Sequence, residues 1–268
     1  MNQSLNQDAL PTETGQLLDP PPTHHVPAPL RYLTRIVLIP MMALVTVFFG
    51  SLSLLCGLWD RSGRQQHLVA RAWAAAMLGC ALSRVRLVGK EKLKDYPVAV
   101  YASNHLSYMD TPALFAKLPF QFRILAKKGL WKVPFVGWYL NRSGQVPIDS
   151  HNSRSAISGL LRGVATLKAG MPLLVFPEGA RSPNGHMQVA NSGCAFMALR
   201  AGVPLVPLAL IGTYELLPIH VYCLRPRPLK IIVGDPIPTE GMTTKDADAL
   251  TARLYAEIEK MYYQHSEL

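Results

Sequence analysis

The hydrophobic and polar positions divide the chain into three regions. Residues 1–30 show no apolar periodicity and carry Pro11, Pro20, Pro21, Pro22, Pro27 and Pro29 among polar residues, the composition of a disordered tail. Between Arg35 and Asp60 the pattern turns over completely: the 24 residues IVLIPMMALVTVFFGSLSLLCGLW contain no charge. As a helix this stretch extends about 36 Å, enough to cross a hydrocarbon core of roughly 30 Å. Pro40 falls near its start, where a proline costs least. A shorter apolar segment, LVARAWAAAMLGCALS at 68–83, carries Arg71 near its beginning, where the side chain can snorkel. Arginines flank the first segment on both sides, Arg31 and Arg35 before it and Arg61 and Arg64 after it. Charge asymmetry therefore sets no orientation, and residues 31–83 read as a membrane-anchoring helical hairpin that either spans or dips into one leaflet.

From residue 84 to 268 the period changes. Short apolar or β-branched runs recur at 85–89, 98–102, 122–126, 145–149, 173–177, 205–210 and 229–234, with helical patterns at 151–169, 191–201 and 244–264. This alternation predicts an α/β domain with a mixed, mainly parallel sheet covered by helices. The C-terminal helix has apolar positions at Leu250, Leu254, Ile258 and Met261, a stripe suited to packing on the sheet.

Composition sharpens the membrane reading. Hydrophobic residues make up 49% of the chain and charged residues 16%, against about 25% charged in an average soluble domain. The net charge of +10 favours an anionic surface. No basic stripe interleaved with aromatics suggests a nucleic-acid reader. Lys127, Lys128 and Lys132 do lie beside Trp131, Phe135, Trp138 and Tyr139, a grouping equally suited to a lipid interface and to ordinary packing under a charged face. Cys56, Cys80, Cys194 and Cys223 are far apart and form no metal-ligand spacing.

In an open α/β sheet, chemistry gathers at the carboxyl ends of strands. Two such ends carry candidate residues. SNHLSYMDTP at 103–112 sets His105 and Asp110 five positions apart. A carboxylate that orients an imidazole leaves the other ring nitrogen free to take a proton from a hydroxyl. The same spacing also suits a plain helix cap at Asp110 beside a loop histidine. VFPEGARS at 175–182 ends another strand with Glu178, Gly179 and Arg181. Gly179 permits a tight turn, and Arg181 offers a fork of donors suited to phosphate or carboxylate. A salt bridge on a surface turn is the simpler alternative.

Together, NHLSYMD and FPEGARS resemble the N-H-x-x-x-x-D and F-P-E-G-x-R-S signatures of the glycerolipid acyltransferases, whose best-known members act on 1-acylglycerol-3-phosphate. The likeness spans roughly residues 80–240. KKGLWKVPFVGWYLNRSGQVPID at 127–149 resembles the family's intermediate block and VPLVPLAL at 203–210 its fourth. The resemblance implies that His105 deprotonates the acceptor hydroxyl of a lysophospholipid and that Asp110 orients it. The oxygen then attacks the thioester of acyl-CoA or acyl carrier protein directly, with no serine nucleophile. It places Asn104, Lys127, Glu178, Gly179, Arg181 and Ser182 on the substrate side. It implies no metal or redox cofactor, an anionic membrane surface as partner, and a catalytic domain on the cytoplasmic side of a bacterial inner membrane. A non-catalytic lipid carrier of the same fold is the alternative of a different class.

Three positions depart from the family pattern. Asp149 is followed by Ser150 where an arginine is usual, with Arg142 and Arg154 as spatial substitutes. Ala180 stands where threonine is common. Ala190-Asn191 replaces an aromatic-lysine pair. Two of these changes remove positive charge from the expected acceptor site, so another lysolipid, such as a lyso-ornithine lipid, becomes an alternative acceptor.

Overall fold

The computed structural model describes residues 27–149, 153–219, 221 and 223–266. Most of the expected disordered tail, residues 1–26, lies outside them; the last residues assigned to it, from Ala28, begin a helix.

That helix runs without a break from Ala28 to Cys56, 29 residues or about 44 Å. It comprises α1 (Ala28–Leu33), a wider π-type turn over Thr34–Leu38, and α2 (Ile39–Cys56). The π turn has a local cause. Pro40 has no N–H to give to the preceding turn, and the ladder slips by one so that the Ile39 N–H reaches the Thr34 carbonyl. Asp60 then closes the hairpin. Its Oδ1 accepts from the Ser62 and Gly63 amides, and its Oδ2 from the Gln65 amide at 2.6 Å. Gly63, at φ +70°, takes the left-handed turn into α3 (Arg64–Cys80).

The remaining elements alternate as anticipated: β1 (Val85–Val88), β2 (Val100–Ser103), α4 (Asp110–Lys117), β3 (Arg123–Lys127), α5 (Val136–Arg142), β4 (Val146–Ile148), α6 (Ser153–Lys168), β5 (Leu173–Val175), α7 (Gly193–Ala201), β6 (Leu205–Ile211), α8 (Thr213–Leu216), β7 (Leu229–Val233) and α9 (Ala247–Tyr263). The sheet order is β1-β7-β6-β2-β5-β3-β4. Five strands from β6 to β4 are parallel; β7 pairs antiparallel with β6, and β1 follows β7. β2, β5 and β6 are buried on both faces, as strands covered by helices on each side must be.

Alternate side chains feed two cores. Tyr101, Leu174, Leu208 and Ile231 face α3 and α4, packing with Ala74, Leu78, Leu114 and Phe115. Val100, Ala102, Leu173 and Ala209 face the other way, toward Val164 of α6, Met197 of α7 and Ile258 of α9. Leu38 and Met42 of the long helix join the first core. The boundary at residue 84 is therefore one of topology rather than of packing.

The hairpin lies lengthwise against the domain. Trp73 Nε1 of α3 donates to Thr46 Oγ1 of α2 at 3.1 Å. The tip is fastened by Arg123 Nη2 to the Ser62 carbonyl at 2.9 Å and by Arg142 Nε to the Gly57 carbonyl at 2.8 Å. The opposite side of the long helix is a bare apolar stripe: Ile36, Leu44, Phe48, Leu52 and Leu55 are all exposed. Of the 18 most apolar residues only 17% are buried, so the domain leaves most of this helix uncovered.

Candidate active site

His105 and Asp110 sit just beyond the carboxyl end of β2, in the middle of the sheet. The bend is held by Asn104, which is fully buried. Its amide group clamps the Leu210 peptide of β6, donating to the carbonyl at 3.0 Å and accepting from the N–H at 2.7 Å. The polar atoms of Asn104 are thus engaged by the fold. The next residue is held at its backbone from both sides: the His105 N–H donates to Glu178 Oε1 at 2.9 Å, and the His105 carbonyl accepts from the Ser182 N–H at 2.9 Å. The two sequence motifs, more than 70 residues apart, interlock through these bonds.

The imidazole is fixed by two contacts. Its Nδ1 lies 2.8 Å from Asp110 Oδ2, and its ring stacks on Phe176 with centroids 4.0 Å apart. Asp110 opens α4, where the helix N-terminus favours negative charge. Its Oδ2 also accepts from the Leu106 and Ser107 amides at 2.6 and 2.8 Å. An acceptor with this many donors makes Nδ1 the protonated nitrogen and leaves the lone pair on Nε2. The Asp110 side chain has no exposure and the His105 side chain 16%, so the pair presents one ring edge to the outside.

Glu178 follows β5 and is shared between two backbones, Oε1 with His105 and Oε2 with the Gln188 N–H at 3.0 Å. Burial pushes its pKa from 4.5 up to about 7, opposed by those two amides and reinforced by the Asp110 charge. An acid raised in the folded state contributes stability at low pH that is lost as pH rises through the folded value. Thermal unfolding followed between pH 4.5 and about 7 should therefore show a decline that Glu178→Gln lacks. Identical slopes for the two proteins would contradict the raised value.

Gly179 has φ +68°, so the turn after Glu178 needs glycine for its backbone. Arg181 then leans back over the first motif, its guanidinium carbon 3.9 Å from the Tyr108 ring centroid. Among the described residues no carboxylate forms an ion pair with it. Ser182 is buried, and its hydroxyl serves its own loop by accepting from the Asn184 and Gly185 amides. Tyr262 of α9 steadies that loop by donating to the Gly185 carbonyl at 2.8 Å. Lys127 is the exposed last residue of β3, on the same edge of the sheet.

His105, Asp110, Glu178, Gly179 and Arg181 are thus brought together, whereas Asn104 and Ser182 face inward and Lys127 stands at the rim. Arg142 is committed to the hairpin tip and Arg154 is exposed on α6; neither is drawn to the pair. Sequence reasoning had assigned no part to Phe176 or Tyr108. Both lie inside the quoted motifs, and the signal was one aromatic within each motif, two residues before its carboxylate. Behind α4, an apolar cavity of about 170 Å³ lies between α2, α3 and α5, with Thr46, Gly50, Trp73, Phe135 and Tyr139 in its wall. Thr111, the neighbour of Asp110, also lines it.

A histidine–aspartate pair at the carboxyl edge of a mixed sheet, with an arginine stacked on the tyrosine between them in the chain, marks out an α/β protein whose candidate site unites two strand ends. Residues 84–211 match the family model described as Acyltransferase. A 1-acyl-sn-glycerol-3-phosphate acyltransferase of Saccharomyces cerevisiae is 30% identical over 216 residues, 79% of this chain and 71% of that one. A chloroplastic 1-acyl-sn-glycerol-3-phosphate acyltransferase of Arabidopsis thaliana is 34% identical over 154 residues, 57% of this chain and 42% of that one. The chain spans about half the length of the plant and algal relatives it matches. The crystal structure of the 1-acyl-sn-glycerophosphate acyltransferase PlsC from Thermotoga maritima superposes with a TM-score of 0.74 at 23% identity, covering 87% of this chain and 95% of that one, and shares the fold. The chain belongs to the acyltransferase family.

Proposed function

We propose that the protein transfers a fatty acyl group from a thioester, acyl-CoA or acyl carrier protein, to the free hydroxyl of a lysophospholipid, with 1-acylglycerol-3-phosphate as the first acceptor to test. The observation that carries this reading is the 2.8 Å contact between His105 and Asp110, with the opposite edge of the ring left open. Nε2 takes the acceptor's hydroxyl proton as the oxygen attacks the thioester carbonyl. Asp110 stabilises the imidazolium that forms. That attack makes the C–O bond; collapse of the tetrahedral intermediate then re-forms the carbonyl and breaks C–S, and the imidazolium gives its proton to the departing thiolate. Arg181 offers donors to the acceptor's phosphate. Asn104, Glu178 and Ser182 act as positioning residues for the two motif loops.

The bare stripe of the long helix supports a seat in lipid. Because the hairpin lies along the domain rather than projecting from it, the reading favoured is insertion into one leaflet with the domain attached. The apolar cavity beside Thr111 then receives part of an acyl chain; an engineered apolar cavity of about 150 Å³ takes up benzene.

A second acceptor class is favoured by one feature. The loop at 190–191 brings Ala190 and Asn191 rather than cations, and the Asn191 amide is tied to the Pro177 carbonyl. The hollow between this loop and α9 is lined by Asp248 and Glu259. A lysolipid whose headgroup carries an amine, such as a lyso-ornithine lipid, suits such surroundings better than a phosphomonoester.

Purified protein in lipid nanodiscs, given labelled oleoyl-CoA or oleoyl carrier protein and a panel of lysolipids, tests both. Acylated lysophosphatidate is expected, with a KM raised about tenfold or more in Arg181→Ala by loss of charged hydrogen bonds. Transfer to lyso-ornithine lipid alone moves the acceptor assignment. Transfer to no acceptor from either donor ends the enzymatic reading in favour of a lipid carrier.

A further inference from the structure

Among the described helices of 16 or more residues, α3 and α6 carry basic charges and no acidic ones, and of the two only α6 lies outside the hairpin. Its sequence, SRSAISGLLRGVATLK, carries Arg154, Arg162 and Lys168 and no acidic residue. α9, packed in the same layer, mixes both signs with Asp248, Arg253, Glu257, Glu259 and Lys260.

The two sides of α6 are sharply distinct. Val164 and Leu167 point into the core beneath it. Gly159 and Gly163 lie on this inner side too. A Cβ at Gly159 would come within 2.8 Å of the Pro147 carbonyl of β4, and one at Gly163 would collide with Met197 of α7. Two glycines weaken a helix by about 1 kcal/mol each relative to alanine. Here they let α6 seat closely, so its outer face is presented on a rigid support. On that face Ile157 and Leu161, one turn apart, are 56% and 46% exposed. Arg154, Arg162 and Lys168 are exposed around them. An apolar centre ringed by charge of one sign is the composition of a recognition surface.

The position of this face selects the partner. α6 covers one side of the sheet with α7 and α9, while the hairpin of α2 and α3 covers the other with α4. A lipid surface that covers the bare stripe of α2 thus lies across the sheet from α6. What meets α6 comes from solution, and it must be anionic with apolar contacts of its own. α6 also begins five residues after Ile148, at the sheet edge that carries His105.

We propose that the outer face of α6 docks a small acidic carrier protein that delivers the acyl group as a thioester on a flexible arm. This rests on the acyl-transfer reading above and assigns its donor. The cations speed encounter and set orientation, and Ile157 and Leu161 supply the desolvated centre.

Steady-state kinetics with the same acyl chain on carrier protein and on CoA test the assignment. In Arg162→Glu/Lys168→Glu, kcat/KM for the carrier thioester should fall by about tenfold or more and lose most of its salt dependence, while the value for acyl-CoA stays within about twofold. Leu161→Ser should reduce the carrier value alone, and the milder Arg162→Gln/Lys168→Gln serves if the charge reversal misfolds. An unchanged carrier value, an equal loss with both donors, or a wild-type protein that accepts acyl-CoA only would each overturn the docking face. So would dimerisation through α6 in sedimentation that Leu161→Ser abolishes. Binding of the unacylated carrier protein, followed by fluorescence anisotropy, separates this inference from the one beneath it. Binding that depends on α6 in a protein that acylates nothing upholds the docking and ends the transfer reading. Normal transfer without such binding does the reverse.

Discussion

Replacing His105 by alanine is expected to lower kcat by about 10²–10⁴-fold, the usual contribution of a positioned general base. Little change in KM should accompany it if, as proposed, the ring acts on the reacting hydroxyl while Arg181 holds the acceptor. The fold should survive. Asp110 Oδ2 keeps its bonds from the Leu106 and Ser107 amides without the imidazole, and the His105 backbone bonds to Glu178 and Ser182 need no side chain. Circular dichroism together with single-turnover transfer from labelled acyl-CoA provides the check. A folded variant that retains full kcat would remove the base from the mechanism and leave the lipid-carrier alternative.

The second large effect separates orientation from charge at Asp110. In many histidine–carboxylate pairs an asparagine turns its NH2 toward the ring and selects the wrong tautomer. Here the Leu106 and Ser107 N–H groups both point at the oxygen that faces the ring, so an NH2 in that place would confront two donors. Asp110→Asn should therefore keep its carbonyl oxygen toward His105. It preserves the tautomer and loses only the negative charge that stabilises the imidazolium. The expected fall in kcat is about 10–10²-fold, the difference between a charged and a neutral hydrogen bond in a dry site. The amide NH2 then occupies the position of Oδ1, which has no partner among the described residues, and stability should drop by about 1–3 kcal/mol. Asp110→Ala leaves two amides unpaired as well and should match His105→Ala in kcat. Asp110→Asn as inactive as Asp110→Ala would mean that the amide flips after all. The double replacement His105→Ala/Asp110→Ala should be no slower than either single one, since residues acting as a unit are not additive.

Much of the architecture was legible because its signals are local. The runs at 98–102, 173–177 and 205–210 fall on β2, β5 and β6 since strands buried on both faces are continuously apolar. His105 and Asp110 were readable as a pair because only a short bend separates the end of β2 from the start of α4. What escaped depends on partners distant in the chain. Nothing near residue 104 says that its amide will grip Leu210, 106 positions away. Glu178 accepts the Gln188 amide of its own loop, a local bond, but its bond from the amide of His105 in the other motif has no local signal. The reversed direction of β7 and β1 was hidden as well, because alternation of runs does not reveal which edge the chain returns to after α8. Pro40 does not fall near the start of the long helix as the apolar run suggested: the helix begins at Ala28, the proline lies in its interior, and the π turn before it follows from a missing donor that no hydropathy pattern records.

Arg123 and Arg142 bolt the far end of the hairpin to the base of the sheet. The apolar stripe and the imidazole consequently belong to one stiff lever with no joint between them. On the proposed seat in lipid, a thicker or thinner layer is expected to tip the whole lever rather than bend it, so turnover in nanodiscs of different lipid thickness should differ even when both substrates are saturating.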